Sequence, residues 1–322
     1  METVNKIFSK IEYNGHDVSE DFAPYIKEII YRDFEENESE ELTITLKDYD
    51  KYFQNSWYLN RGAKISCKIG DDFSTLDCGI FTIDEVDFDF RENGDYITIR
   101  ALATSIIPPL RTKNTRYFEN KTLQDIAQFF GDKYGFEVIK DLKPVYIERL
   151  NQVMETDLGF LKRIARDYGY IFKIIEGKLV FVPLDREEAS LFTLEKGEVS
   201  SLKIKDERKY RGCSVKYFNP MSKKLCSSST ECDDGYDTLK IIKKCSSKED
   251  AQILSNSKLQ ENRRDFIGRI KLKEGNPLFL AGVNFDLKGF SMFDGTYRIK
   301  SVTHCVCAGK WSVFGEIERR ES

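Results

Sequence analysis

The sequence predicts a mainly β protein with an α+β insertion, and three observations support this fold class. Residues 1–110 and 189–322 read as strands separated by turns, whereas residues 111–188 between them carry helix signals. The segment GIFTIDEV at 79–86 returns as GTYRIKSV at 295–302, near the end of each β-rich part. Self-similarity of this kind is typical of a module that is used twice. We therefore expect two β-barrel domains, at 1–110 and 189–322, with a small helix-strand accessory domain at 111–188.

The first β-rich part shows the alternation of half-buried strands. Leu42, Ile44 and Leu46 alternate with polar residues, so one face of this strand is buried and the other is solvated. The acidic run DFEENESEE at 33–41 overlaps its start. We expect a solvated loop whose charges protect neighbouring sheet edges, with cation binding as the alternative. Further strands are expected at 64–70, 79–89 and 95–103.

The accessory domain contains one helix pattern twice. The segments TLQDIAQFFGDKYG at 122–135 and TDLGFLKRIARDYG at 156–169 each run from a capping Thr to a Gly that can adopt the left-handed conformation. Apolar residues fall at the same offsets in both copies, and each helix leads into a strand. In the second copy the expected cap residues are Thr156 and Asp157, the core residues Phe160, Leu161 and Tyr168, the stop Gly169, the first strand residue Tyr170, and the hairpin turn Glu176-Gly177.

The last β-rich part returns to strands and includes one helix. Ser246 and Glu249 have the spacing of a capping box, which predicts a helix near 248–264. The polar, Ser-rich stretch 223–237 is typical of a loop. The closing strands are expected at 283–288, 296–304 and 311–319.

Charge and composition exclude several function classes. The 322 residues carry a net charge of −4 with a pI of about 5.6, whereas nucleic-acid binding needs a basic surface. We therefore expect no sequence-specific nucleic-acid partner. No apolar run approaches the ~18–20 residues that span a bilayer, and no secretory signal is visible. We expect no membrane span, folding in the cytoplasm, and eight cysteines that stay free thiols.

The sequence contains no catalytic constellation. His304 precedes Cys305 and Cys307, but on a strand the two cysteines face the side opposite the histidine, so three metal ligands cannot converge. Asp87 and Asp89 alternate with apolar residues, which is typical of the solvated face of a half-buried strand. There is no P-loop, dinucleotide-binding or serine-nucleophile motif. We therefore expect no catalytic residue, no cofactor and no metal.

Several segments resemble the late control gene D protein family, the hub proteins of contractile phage tails and related injection machines. METDLGFLKRIARDYGYIFKIIEGKLVFV resembles the family's most recognisable motif, and GIFTIDEV its recurring Gly-Phe-x-Ile-Asp strand. IEYNGHDVSEDFAPYIKEIIYRDFE and ELTITLKD resemble the opening strands, and DGTYRIKSVTHCVCAGKWSVFGEIERR the closing strands. Cys305 and Cys307 depart from the pattern. The structural motif positions are Thr156, Asp157, Phe160, Leu161, Tyr168, Gly169, Tyr170, Gly79, Phe81, Ile83, Asp84, Gly295, Tyr297, Ile299 and His304.

The resemblance implies two tail-tube-like β-barrels in one chain and a structural, non-enzymatic role. Three copies would form a homotrimer with a pseudo-sixfold ring that adapts the sixfold tail tube to a threefold central spike. The implied partners are a separate trimeric spike protein, a tail tube or tube-initiator protein, and baseplate wedge proteins. The spike is expected to be separate because no needle-like segment follows the closing strands.

The implied location is the bacterial cytoplasm during assembly and then the baseplate. The particle is a phage tail, an R-type bacteriocin or another contractile injection system. Two other functions stay open on the residues alone. A tail-associated cell-wall hydrolase would need acids that converge in a cleft. A monomeric carbohydrate-binding β protein would use aromatics such as Trp57 and Tyr58 to stack on sugars.

Overall fold

The chain divides by contact into two compact units. The first comprises residues 1–104, 189–204 and 268–322, and the second comprises residues 105–188 and 205–267. The computed structural model describes residues 6–35, 39–103, 108–140, 142, 145–175, 178–183, 189–206, 210–219, 223–232, 235–243, 245, 247–261 and 266–320.

The first unit opens with a run of strands. On the fourth strand Leu42, Ile44 and Leu46 are buried while the residues between them are partly exposed, which confirms the predicted alternation. The elements are β1 (Phe8–Tyr13), β2 (His16–Asp17), α1 (Ser19–Phe22), β3 (Ile26–Phe34), β4 (Glu41–Lys47), β5 (Lys64–Gly70), β6 (Thr75–Arg91) and β7 (Gly94–Ala103).

The second unit opens with the two predicted helices, each between strands. Its elements are β8 (Lys113–Thr122), α2 (Leu123–Tyr134), β9 (Glu137–Lys140), β10 (Tyr146–Thr156), α3 (Asp157–Asp167), β11 (Tyr170–Ile175) and β12 (Lys178–Pro183). Strands β8 and β10 pair antiparallel, and β12 lies between β9 and β11. Thr122 and Asp125 form a capping box at the start of α2, and Gly135 ends it with φ of +69°.

The rest of the chain contributes to both units. Its elements are β13 (Phe192–Glu195), β14 (Val199–Asp206), β15 (Tyr210–Asn219), β16 (Lys224–Glu231), β17 (Asp237–Ile242), α4 (Lys248–Glu261), β18 (Phe266–Leu272), β19 (Asn284–Lys288), β20 (Gly295–Cys307) and β21 (Lys310–Arg319). A 13-stranded sheet has the order β14-β18-β21-β20-β3-β4-β7-β6-β5-β1-β2, with β19 beside β20 and β13 beside β19. In the second unit, β15 pairs with β16 and β17.

The mainly β fold class with small helical insertions is confirmed. Residues 205–267 cluster with 105–188, although they were expected in the closing β-rich domain 189–322, so the three-domain division stays a prediction. Within the described part of the chain, no helix combines the length and the apolar character needed to cross a bilayer.

The prediction of a loop at the Ser-rich stretch 223–237 is wrong in part, because the stretch contains β16. This strand pairs antiparallel with β15 along its whole length, and the hydroxyl of Ser228 is buried while donating to Gln252 Oε1 at 2.5 Å. Strand pairing and an internal hydrogen-bond partner therefore override the tendency of serine-rich stretches to form loops.

Two predicted polar features also differ or fall outside the description. In the acidic run, Asp33 and Glu35 are buried, so this part is not a solvated loop. Ser246 lies outside the described residues, and the Oγ of Ser247 accepts the N–H of Asp250 at 3.1 Å. The hairpin turn Glu176-Gly177 also lies outside the described residues, although Ile175 and Lys178 on either side of it are paired.

Candidate assembly site

The two matched segments lie on equivalent strands of the first unit, β6 and β20. Gly79 and Gly295, which open the matches, have positive φ angles of +93° and +146°, a region that glycine enters without steric cost. The register of β6 with β7 skips Asp84, and the register of β20 with β21 skips Lys300. These bulge residues occupy the same position of the repeat. The matched aromatic and isoleucine residues are buried in both copies: Phe81 and Ile83 in the first, and Tyr297 and Ile299 in the second.

The turns that approach the two bulges are also equivalent. The N–H of Gly62 donates to Ile83 O at 2.8 Å, and the N–H of Gly282 donates to Ile299 O at 2.7 Å. The φ angles of the two glycines are +84° and +83°. Both turns therefore fix the bulged strand in the same way, and the repeat extends beyond the matched eight residues.

The order of strands shows the extent of the duplication. The first copy has the order β5-β6-β7-β4-β3, and the second has β19-β20-β21-β18-β14. Chain order and sheet order correspond strand by strand. In the second copy, β15, β16, β17 and α4 are inserted between β14 and β18, where the first copy has only the connection from β3 to β4. The sequence echo thus marks a five-stranded module that is present twice.

The two modules join through one antiparallel pair, which we call the junction: β3 residues 28–34 with β20 residues 301–307. Tyr31 lies opposite His304, and their rings stack with centroids 6.0 Å apart. The ring of Phe81 lies 6.1 Å from that of Tyr31. The structure therefore brings motif positions of both modules, Phe81 and His304, against one tyrosine.

His304 is held in the junction as a neutral side chain. Its Nδ1 accepts the indole N–H of Trp311 at 3.2 Å, so the proton lies on Nε2, which donates to Phe279 O at 3.0 Å. Burial lowers the pKa of His304 to about 4, although the Phe279 carbonyl acts in the opposite direction. The sequence singled out His304, but the carbonyl partner lies 25 residues away and no local pattern points to it.

An ion cluster closes one end of the junction. The Glu35 carboxylate pairs with Arg298 and Lys300, and the N–H of Glu35 donates to Lys300 O at 2.8 Å. Burial would raise the pKa of Glu35, but the two cations outweigh this effect and hold it below the usual range. The available signal in the sequence was that the second copy carries Arg298 and Lys300 where the first carries Thr82 and Asp84.

Each junction strand has a counterpart in the other module. Strand β6 of the first module corresponds to β20, and strand β14 of the second module corresponds to β3. Strand β5 pairs with β6 only as far as Thr82, whereas β7 follows β6 to Arg91. Strand β14 lies at one end of the 13-stranded sheet, beside β18. Along the described chain, neither the β6 segment 85–91 nor β14 has a strand neighbour equivalent to the one in the junction.

Side-chain burial differs between the junction and these two edges. Val302 and His304 are buried on β20, whereas Val86 and Phe88 at the same positions of β6 are partly exposed. Phe90, two residues further along β6, is 65% exposed. The same difference holds for the other pair of strands: Ile29 and Tyr31 are buried on β3, whereas Leu202 and Ile204 on β14 are partly exposed.

The remaining motif residues lie on or beside α3 in the second unit. The hydroxyl of Thr156 caps the helix by accepting the N–H of Gly159 at 3.0 Å. Gly169 follows the helix with φ of +78°. Phe160 and Leu161 are fully buried, Tyr170 is nearly so, and Tyr168 is partly buried beside them.

Asp157 does not share the capping role that the sequence suggested. Its side chain is fully buried and accepts hydrogen bonds from Arg116 at 3.0 Å and Gln152 at 2.6 Å, as well as from Lys133 and Tyr134. Burial would raise the pKa of Asp157, but these donors outweigh it and hold the pKa below its usual range. The acid therefore ties β8, α2 and β10 to the start of α3.

The buried carboxylates of these clusters are each paired with cations, so their charges are compensated within the fold. The described residues contain no group of three or more His, Cys, Asp or Glu side chains that could hold a metal ion. Asp87 and Asp89 are exposed on β6, as predicted for a solvated strand face.

Comparison with known proteins gives a consistent set of relatives. No family model matches the chain. The chain is 24% identical over 217 residues to the probable baseplate hub protein of Escherichia phage 186, covering 64% of this chain and 54% of that protein. It is 27% identical over 193 residues to the probable baseplate hub protein of Escherichia phage P2, covering 56% and 49%. The chain thus spans about half the length of these curated relatives.

Solved structures of tail proteins share the fold. A tail protein from Neisseria meningitidis superposes with a TM-score of 0.73 at 10% identity, covering 98% of this chain and 97% of that one. A 43 kDa prophage tail protein from Shewanella oneidensis gives 0.70 at 16% identity, with 97% and 98% covered. A type VI secretion component from Escherichia coli gives 0.61 at 13% identity, with 92% and 74% covered. The predicted resemblance to phage hub proteins is confirmed.

Proposed function

We propose that this chain, which is similar to phage baseplate hub proteins, is itself a structural baseplate hub. Three copies form a homotrimeric ring that adapts a sixfold tail tube to a threefold central spike. The observation that carries the proposal is the duplicated five-stranded module. Three chains with two modules each present six equivalent modules on one face while the whole chain keeps threefold symmetry.

The polar chemistry of the chain supports a structural role. The buried carboxylates of Glu35 and Asp157 are each surrounded by cations or hydrogen-bond donors that lower their pKa, so neither is set up to hold a proton for acid catalysis at neutral pH. His304 is buried between two hydrogen-bond partners. These groups stabilise the module and the accessory unit, and we expect no catalysis.

The proposed partners follow from the two faces of the ring. One face binds the tail tube or a tube-initiator protein, and the other binds a separate trimeric spike protein. Baseplate wedge proteins bind around the outside. The chain is assembled in the bacterial cytoplasm and then resides in the baseplate of a contractile tail or injection machine.

Electron microscopy tests the proposal on two preparations: the purified chain alone, and the chain co-expressed with a candidate spike protein encoded beside it. We expect a threefold ring with a central channel and six inner lobes in at least one preparation. Native mass spectrometry of the same samples gives the number of copies. A compact monomer in both preparations would overturn the proposal and would direct effort to assays of peptidoglycan hydrolysis and glycan binding.

A further inference from the structure

We propose that neighbouring copies of this chain pair the β6 segment 85–91 of one copy with β14 of the next, antiparallel, with Asp89 opposite Lys203 and Phe88 opposite Ile204. This pairing repeats, between chains, the junction that joins the two modules within one chain. The inference rests on the proposed homotrimer and names the surface that closes it. The occupant of both edges is a second copy of this chain.

The register on the β6 side follows from the repeat. Gly79 and Gly295 open the matched segments, and the bulges at Asp84 and Lys300 keep the alignment in step. His304 of the junction therefore corresponds to Phe88. The residues of β20 that contact β3, 301–307, correspond one by one to residues 85–91.

The register on the β14 side follows from two hydrogen bonds and one packing contact. The N–H of Lys47 donates to Tyr25 O at 2.7 Å, and the N–H of Lys273 donates to Glu198 O at 2.9 Å. Both lysines directly follow the last buried residue of equivalent strands, β4 and β18. Tyr25 therefore corresponds to Glu198.

Counting six residues on from each carbonyl, Tyr31 of β3 corresponds to Ile204 of β14. The next strand supports this match. Tyr31 lies opposite Leu42 of β4, and a Cβ placed on Gly268, the β18 counterpart of Leu42, would lie 3.4 Å from the Cγ1 of Ile204.

When β6 and β14 of neighbouring copies are paired in the register of the junction, side chains of opposite charge fall opposite each other. The register follows from backbone pairing and packing, without reference to these charges. Asp87 falls opposite Lys205 and Asp89 opposite Lys203, so two acids of one edge meet two lysines of the other. Directly opposed charges of unlike sign stabilise an antiparallel pair. The junction does not carry this charge pattern, because it pairs Thr303 with Arg32 and Cys305 with Ile30. Of the four edge residues, only Lys205 corresponds to a charged junction residue, the cation Arg32.

The apolar residues between these charges explain the exposure difference. In the transferred register, Phe88 meets Ile204 and Phe90 meets Leu202. All four are partly or largely exposed in the single chain. Of the corresponding junction residues, Tyr31, His304 and Ile29 are buried and Val306 is partly exposed. Exposed backbone edges with apolar side chains are costly to leave uncovered, and pairing between copies covers both at once.

Cysteine cross-linking tests the register. The variant Asp89→Cys/Lys203→Cys is oxidised in the assembled state and analysed by non-reducing electrophoresis. We expect covalent dimers and trimers, which disappear on reduction. The single variants Asp89→Cys and Lys203→Cys, and the shifted pair Asp89→Cys/Ser201→Cys, are controls that should give little interchain product.

The junction itself provides a matched geometric control. Ile30 lies opposite the native Cys305 in the junction. In the repeat, Ile30 corresponds to Lys203 and Cys305 corresponds to Asp89. Ile30→Cys should therefore form a disulfide within one chain, with loss of two thiols and no increase in covalent mass. If this bond forms and the wild type is trimeric, but Asp89→Cys/Lys203→Cys gives no interchain bond, the proposed pairing is overturned while the trimer stands.

Charge exchange provides a second measurement that needs no disulfide. Asp89→Lys or Lys203→Asp alone places like charges opposite each other and should weaken each contact by about five- to thirtyfold, seen as a lower trimer fraction at low ionic strength. The double variant should recover most of the trimer. A double variant as dissociated as the single variants would overturn the pairing. A monomeric wild type, with and without the spike candidate, would overturn the homotrimer and the pairing together.

Discussion

The two copies of the strand module share one backbone plan but differ in the side chains beyond the matched core. Strand β20 carries Arg298, Lys300 and His304, which contact buried partners on the other module or its own turn. Strand β6 carries Asp84 and Phe88 at the positions of Lys300 and His304, and these are exposed or partly exposed. Glycines, apolar residues and the bulge therefore determine the module, whereas the polar positions determine what each copy contacts.

The shared core predicts the largest effect, and it predicts the same effect in both copies. Phe81 and Tyr297 are equivalent and almost completely buried. Replacing either by Ala should lower the free energy of unfolding by about 3–5 kcal/mol, because a large buried ring leaves a cavity. Urea denaturation followed by tryptophan fluorescence measures the loss.

Phe73→Ala is the control for these two variants, because Phe73 is 82% exposed and its removal should change stability by less than about 0.5 kcal/mol. A small effect of Phe81→Ala beside a large effect of Tyr297→Ala would contradict the equivalence of the two copies.

The ion cluster of the second copy predicts the next effect. Glu35→Gln removes the buried negative charge that pairs with Arg298 and Lys300, and should cost about 3–4 kcal/mol. Glu92→Gln, in the exposed turn after β6, is the matched control and should be close to neutral. Equal stability of the two variants would show that the cluster is solvated and does not hold the junction.

The sequence predicted the local structure of each module but not the strand pair that joins the two modules. The matched segments that begin at Gly79 and Gly295 predicted equivalent strands. Both helices of the accessory domain were predicted from their Thr caps and Gly stops. The pairing of β3 with β20 joins residues some 270 positions apart, and no local pattern specifies such a partner. The same holds for the clustering of residues 205–267 with 105–188.

Buried polar residues were the least predictable feature of the site. Glu35 lies in a run of acids and suggests a solvated loop, but its environment is set by two cations that the chain brings from β20. Asp157 looks like a helix cap because of its position beside Thr156, yet its side chain accepts hydrogen bonds from three other elements. In both cases the tertiary partner, and not the residue type, decides burial.

The histidine of the second copy predicts a pH dependence that the first copy lacks. An unfolded histidine takes up a proton below about 6.5, whereas burial keeps His304 neutral down to about 4. The unfolded chain therefore binds more protons between these pH values, and stability falls as pH falls through this window, by about 3 kcal/mol in total. The stabilisation is fully present above the upper value.

His304→Phe places the residue found at the equivalent position of β6 into the junction and removes the titration. Unfolding free energies of both proteins between pH 4.5 and 7.5 provide the test. We expect a steeper loss with falling pH for the wild type than for the variant, whatever their stabilities at pH 7.5. Parallel curves would show that His304 is protonated in the native state at the same pH as in the unfolded chain.

The bulge residues predict the smallest effect and the sharpest contrast between the copies. Asp84 is exposed at its bulge, whereas Lys300 at the equivalent bulge pairs with buried Glu35. Asp84→Ala should change the free energy of unfolding of the single chain by less than about 0.5 kcal/mol. Lys300→Ala should cost several times more, because Glu35 loses one of its two cations. Equal costs would mean that the bulge backbone and not the side chain sets the role of this position, and the difference between the two copies would then have to lie in Arg298 and His304.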